Sequence, residues 1–258
     1  MKIRVYTQNE QAKGHFGDGE IVENKPIGFP HEGSVVKRVG PLFYWAWAKS
    51  LKTFEIPLHP HSGFEILSYV LQGTVGHRDT LGNLQQVTTG GAQIMQTGSG
   101  AYHAEELGKD TEMFQIWFEP HLAKTTKNPP TYNQYDHEQF PTETADGVRV
   151  KNIIGPAAPI SLVTDSLMKD IAIPAGKAYS LQLPAGYAHA VVVVEGSGSV
   201  GGHSEAGEPP TVAHKGDFVV ISAEAETASV TYQAQADAPL RIVLIQVPLE
   251  VDYPLYRK

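Results

Sequence analysis

A repeat at a fixed offset of 125 residues constrains this 258-residue chain more than any other feature. Gln72-Gly73-Thr74-Val75-Gly76 is echoed by Ser197-Gly198-Ser199-Val200-Gly201. Gly90-Gly91-Ala92-Gln93-Ile94-Met95 is echoed by Lys215-Gly216-Asp217-Phe218-Val219-Val220 at the same offset. The apolar runs ahead of the first Gly turn in each copy, Ile66–Leu71 and Val191–Val194, fall into that frame. A period this long is a whole domain, because solenoid units repeat every 20–50 residues or so. The sequence therefore predicts a duplicated domain with about 110–125 residues per copy. The expected boundaries are residues 1–125 for the first copy and 148–258 for the second. Residues 126–147, polar and carrying Pro129-Pro130 and Pro141, read as a linker or wrapping segment.

Each copy reads as β. Phe64–Leu71, Thr111–Phe118, Val148–Ile154 and Arg241–Val247 are short runs of β-branched, aromatic and aliphatic residues. Helical periods are scarce, with His137–Phe140 as a single turn. The 25 glycines and 18 prolines punctuate the runs as turns. Many short strands with this punctuation predict an all-β sandwich or barrel, here two in tandem.

Several function classes drop out. The chain has no cysteine, so thiol nucleophiles, disulfides and zinc-thiolate sites are excluded. The longest purely apolar run is the seven residues Leu42–Ala48, against the roughly 20 a membrane helix needs. No signal-peptide core follows Met1, so no membrane partner and a cytoplasmic location are expected. The net charge of −8 comes with no Lys/Arg block, which argues against direct nucleic-acid binding. A GxSxG elbow and a helix-opening GxGxxG are both missing.

The chemistry gathers in the histidines. In His59-Pro60-His61, residues i and i+2 of an extended segment share a face, and Pro60 implies an edge strand. His103-Ala104-Glu105 repeats that i, i+2 arrangement 42 residues after His61. Three imidazoles and one carboxylate suit Fe(II), Mn(II), Ni(II), Cu(II) or Zn(II), and leave open positions for O2 or a chelating substrate. At offset 125 these four positions hold Pro184, Gly186, Ala228 and Val230, so only the first copy carries a ligand set.

The stretches His59–Glu65 (HPHSGFE), Gly76–Asn83 (GHRDTLGN) and Ile94–Glu106 (IMQTGSGAYHAEE) resemble the pirin family of the cupin superfamily, densely over Leu58–Trp117. The resemblance implies two tandem cupin (jelly-roll) barrels, a bicupin. It implies one divalent metal, Fe(II) first, held in the amino-terminal barrel by His59, His61, His103 and Glu105. Some relatives are quercetin 2,3-dioxygenases and others are iron-dependent regulators that bind transcription factors. The first reading expects a small hydroxylated aromatic substrate and O2, with Glu105 as ligand and base. The second expects a redox-sensing protein with a protein partner and no turnover. Three departures stand out: Ser62 where many relatives carry a basic residue, Ala92 where many carry Asp, and the unfamiliar segment Pro41–Ala48.

Other residues are placed by pattern. Gln115 shares strand parity with Met113 and Trp117, so it is expected to support a ligand, a metal-bound water or Glu105. Phe54, Phe64, Met95 and Trp117 are candidates for the apolar pocket wall. His77 is expected to make a structural hydrogen bond. His15, His31, His121, His137, His189, His203 and His214 are expected at the surface.

Overall fold

The computed structural model describes residues 1–202 and 210–258; His203 lies outside the described residues. The strands in chain order are β1 (Lys2–Tyr6), β2 (Ala12–Phe16), β3 (Ile21–Ile27), β4 (Leu42–Ser50), β5 (Phe54–His61), β6 (Glu65–Gln72) and β7 (Thr74–Asp79). Next come β8 (Leu84–Thr88), β9 (Ala92–Gln96), β10 (Ala101–Leu107), β11 (Glu112–Phe118), β12 (Thr131–Tyr135), β13 (Thr142–Ala145) and β14 (Val148–Ile154). The rest are β15 (Leu167–Ile173), β16 (Ala178–Leu183), β17 (Tyr187–Gly202), β18 (Thr211–His214), β19 (Phe218–Ala223), β20 (Ala228–Ala234) and β21 (Leu240–Pro248). Among the described residues one short α-helix, α1 (Leu122–Thr125), and three single 3-10 turns interrupt them. The chain is all-β, and its strands form two jelly-roll units of the cupin type.

One unit comprises Gln11–Gln139 with Asp252–Lys258. It has a seven-stranded sheet in the order β12-β9-β6-β11-β4-β3-β2 and a four-stranded sheet in the order β5-β10-β7-β8, with antiparallel pairing throughout. The Val70, Val75, Val87, Leu107 and Met113 side chains form a core between strands of both sheets. A second cluster of Phe43, Tyr44 and Ala46 packs with Phe29, Phe64 and Trp117. Gly63, at φ 84°, ends β5 and returns the chain into β6. A Cβ there would come within 2.8 Å of Leu122 Cδ2, the movable end of a side chain, so it is the left-handed backbone that calls for glycine.

The other unit comprises Met1–Glu10 with Phe140–Val251. Its strand orders, β1-β19-β17-β21-β15-β14-β13 and β16-β20-β17-β18, repeat those of the first, with the long β17 standing for both β6 and β7. Val191, Val193, Val219, Val230, Tyr232 and Ile242 fill its interior.

The expected boundaries differ from these units, and strand pairing explains why. β1 opens the first repeat but pairs with β19 of the second unit, register Lys2↔Ser222 to Tyr6↔Phe218. β12 opens the second repeat but pairs with β9 of the first, register Thr131↔Gln96 to Tyr135↔Ala92. The two strands occupy the same outer place in their sheets, so the repeats exchange their leading strands. The turns that follow also match. Thr7 N–H donates to Glu10 Oε2 at 2.9 Å, and Asp136 N–H to Gln139 Oε1 at 2.7 Å. Residues 126–147 are thus shared between the units as β12 and β13, because exposed polar edge strands have the composition of a linker.

His189 also departs from expectation: it is fully buried in the second unit. Its Nδ1 is 2.9 Å from the Tyr232 hydroxyl and its Nε2 is 3.2 Å from Gln246 Oε1. Burial pushes its pKa down to about 4, with the Gln246 bond opposing. His121 is half-buried, with its ring stacked 5.4 Å from Tyr253. His15, His31, His137 and His214 are exposed.

Candidate metal centre

The edge strand β5 delivers His59 and His61, and its neighbour β10 delivers His103. Pro60 is tolerated because an edge strand leaves its missing N–H unneeded. His59 sits directly opposite His103 in the ladder. The register then shifts, so that Glu105 faces Ile56; the bulge takes up the extra residue of β5 at Pro57-Leu58. Side-chain nitrogens of His59, His61 and His103 lie within 4.8 Å of one another. Ring centroids are 4.5–5.0 Å apart.

Protonation is set by the surroundings. His59 Nδ1 lies 2.8 Å from the Pro57 carbonyl, which can only accept, so Nδ1 carries the proton and Nε2 presents a lone pair. His61 Nε2 and both nitrogens of His103 are buried without a hydrogen-bond partner. Orphaned buried imidazole nitrogens are costly unless something satisfies them. A divalent ion answers that need and this donor set, so the residues fit a metal. Burial, aided by the neighbouring His103 and His59, pushes the His61 pKa down to about 3. Burial likewise lowers His103, against the opposing charge of Glu105. His61 and His103 therefore favour the neutral form that ligates.

Glu105 stands behind this trio. Its carboxylate accepts from Ser68 Oγ at 2.7 Å and from Gln115 Nε2 at 2.5 Å. It is 1% exposed; burial pushes its pKa up, but His103 and the Ser68 hydrogen bond outweigh that and hold it below the ordinary range. Trp117 Nε1 donates to Gln115 Oε1 at 3.2 Å, which fixes which end of the amide faces Glu105. Ser68 and Gln115 are cross-strand partners on β6 and β11. Sequence reasoning missed Ser68, although a small polar residue inside the run Ile66–Leu71 was the signal for it.

The expected wall divides. Trp117 packs edge-on to His61 at 4.8 Å and 75°, and Phe64 lies 5.7 Å from Trp117. Met95 is buried one row along, paired with Ile66, which pairs with Trp117. Phe54 is a correction: it packs on the Val75–Val87–Leu107 core, opposite Leu107 in the ladder. Five residues before His59 on a twisted strand, it belongs to the other end of β5. His77 makes its expected structural bond, Nε2 to Asp79 Oδ2 at 2.9 Å, and stacks on Tyr132 at 4.0 Å. Asp79 is pushed up by burial, but bonds from His77 and Asn83 hold it below its usual value.

Fold and site together define a two-barrel cupin with a histidine cluster, able to hold a metal ion, in its first barrel. The sequence model of the pirin family matches residues 36–118. A pirin-like protein of Solanum lycopersicum is 28% identical over 95% of this chain and 79% of its own length. The quercetin 2,3-dioxygenase of Escherichia coli K12 is 46% identical over 30% of this chain, and the match spans 33% of that enzyme. The chain belongs to the pirin family. In fold it is similar to a bacterial pirin from Escherichia coli solved in complex with nickel(II), with a TM-score of 0.76, 24% identity and coverage of 96% and 99% of the two chains. Among the described residues no helix is long and apolar enough to cross a membrane.

Proposed function

We propose that this protein is a mononuclear Fe(II) dioxygenase acting on a small hydroxylated aromatic of the flavonol type. In this reading His59, His61 and His103 hold the ion and Glu105 supplies the fourth ligand. The observation that carries it is the set of buried, unpartnered nitrogens on His61 and His103 beside the oriented His59. The family membership and the quercetin 2,3-dioxygenase relative support the choice of chemistry.

A carboxylate oxygen has lone pairs enough to keep the Ser68 or Gln115 bond while ligating. Those two bonds orient Glu105 and keep it anionic. Bound iron would supply Lewis-acid acidification of a substrate hydroxyl and electron transfer to O2. In this reading Glu105, two residues along β10 from His103, would receive the hydroxyl proton. Trp117 and Phe64 offer flat apolar faces to a planar ring and displace water from it.

The test is metal content by mass spectrometry on protein purified without a metal-affinity tag, followed by oxygen uptake with quercetin. About one iron per chain and multiple turnovers support the reading. A metal-loaded protein that consumes no oxygen removes the flavonol reaction, and unchanged iron binding in His103→Ala removes the site.

A further inference from the structure

Residues 252–258 pack against the first barrel through a dense set of polar contacts. Lys258 Nζ donates to the carbonyls of Gly28 (2.9 Å), Lys37 (2.6 Å) and Phe43 (2.5 Å), and lies 4.3 Å from the Phe43 ring centroid. Tyr256 N–H donates to Glu119 Oε1, and its carbonyl accepts from Arg38 Nη2 at 2.6 Å. Glu119 is fully buried and paired with Arg38 at 3.0 Å. Such a segment holds one conformation, so the side chain between its anchors is presented rigidly.

That side chain is Tyr256. Its ring lies 6.3 Å from Phe64, Phe64 lies 5.7 Å from Trp117, and Trp117 lies 4.8 Å from His61. Phe43 backs this row, 1% exposed and nearly parallel to Trp117 at 10°. The front members are not sealed: His61, Trp117 and Phe64 are half-buried and Tyr256 is 55% exposed. An aromatic strip therefore runs from a metal-ligand candidate to solvent, and its last member comes from a remote part of the chain.

We infer that Tyr256 is a specificity-determining residue of this site, the outer end of an aromatic strip that favours planar substrates of more than one ring. This rests on the reading of the site as a pocket for hydroxylated aromatics. A single ring anchored at the histidines reaches Trp117 and Phe64 only, whereas a fused or linked multi-ring ligand extends to Tyr256. The ring–ring contact sets the size of the effect, about 3- to 10-fold in affinity.

The experiment measures anaerobic calorimetric binding of catechol (one ring) and quercetin (three rings) to the metal-loaded full chain. Tyr256→Ala should weaken quercetin by about 3- to 10-fold and leave catechol unchanged, while Tyr256→Phe retains wild-type selectivity. Lys258→Met, which removes the anchor and keeps Tyr256, should give the same ring-size-dependent loss. Equal weakening of both probes, no weakening, or no binding of either probe to wild type overturns the inference. Oxygen uptake is scored apart: selective binding without turnover sinks the dioxygenase reading and leaves the role of Tyr256 standing.

Discussion

Ser68 donates its hydroxyl to Glu105 across 2.7 Å, in a region where both residues are almost fully buried. A carboxylate so placed depends on each donor it has. Ser68→Ala leaves the Gln115 bond and removes the other. The expected outcome is a 10- to 100-fold loss of metal affinity, roughly the cost of deleting a supporting hydrogen bond behind a ligand. Competition against a chromophoric chelator measures it, and wild-type affinity would show that Glu105 needs no second donor.

Ligand binding should report on the trio directly. Fe(II) or Ni(II) at about 100 times its dissociation constant should stabilise the wild-type fold by about 2.7 kcal/mol. Thermal melts with and without EDTA test this. His103→Ala, which deletes the residue opposite His59, should melt at the same temperature in both conditions.

Buried His189 gives a pH dependence of defined sign. Its folded pKa, about 4, lies below the ordinary 6.5, so the folded state favours the neutral ring. The associated stability is complete above about pH 6.5 and is lost as pH falls toward 4, about 2 kcal/mol of it between pH 6.5 and pH 5. Unfolding free energies from urea titrations at pH 7 and pH 5 should converge by about that amount in His189→Leu relative to wild type. An unchanged pH slope in the variant would assign acid sensitivity elsewhere.

Phe54 separates the core from the site. Phe54→Ala should cost roughly 1–3 kcal/mol, since its ring is only partly buried against the Val75–Val87–Leu107 cluster. Metal affinity should stay at the wild-type value. A parallel loss of both would put Phe54 back into the pocket wall.

These outcomes track how the molecule is written in its residues. His59, His61 and His103 were legible because an i, i+2 pair on an extended strand has one geometric meaning. The duplicated barrels were legible because glycine turns recur at one offset. Phe54 was misplaced because apolar, aromatic character suits a pocket wall and a core equally, and only the ladder opposite Leu107 shows which one it joins. His189 was misread because its partners, Tyr232 and Gln246, lie 43 and 57 residues away. Tyr256 carries no local signal at all: its place is set by Glu119 and Arg38, distant in sequence and met only on folding.

The exchange of β1 and β12 gives the duplication a lasting bond. Cutting the chain at residue 125 would send each half away with the strand its partner needs, leaving β9 and β19 as bare hydrogen-bonding edges. Such halves would recombine or aggregate. Deleting everything after residue 125 would therefore strip β12 from the sheet that carries Ser68 and Gln115. Each repeat is thus a structural dependency of the other.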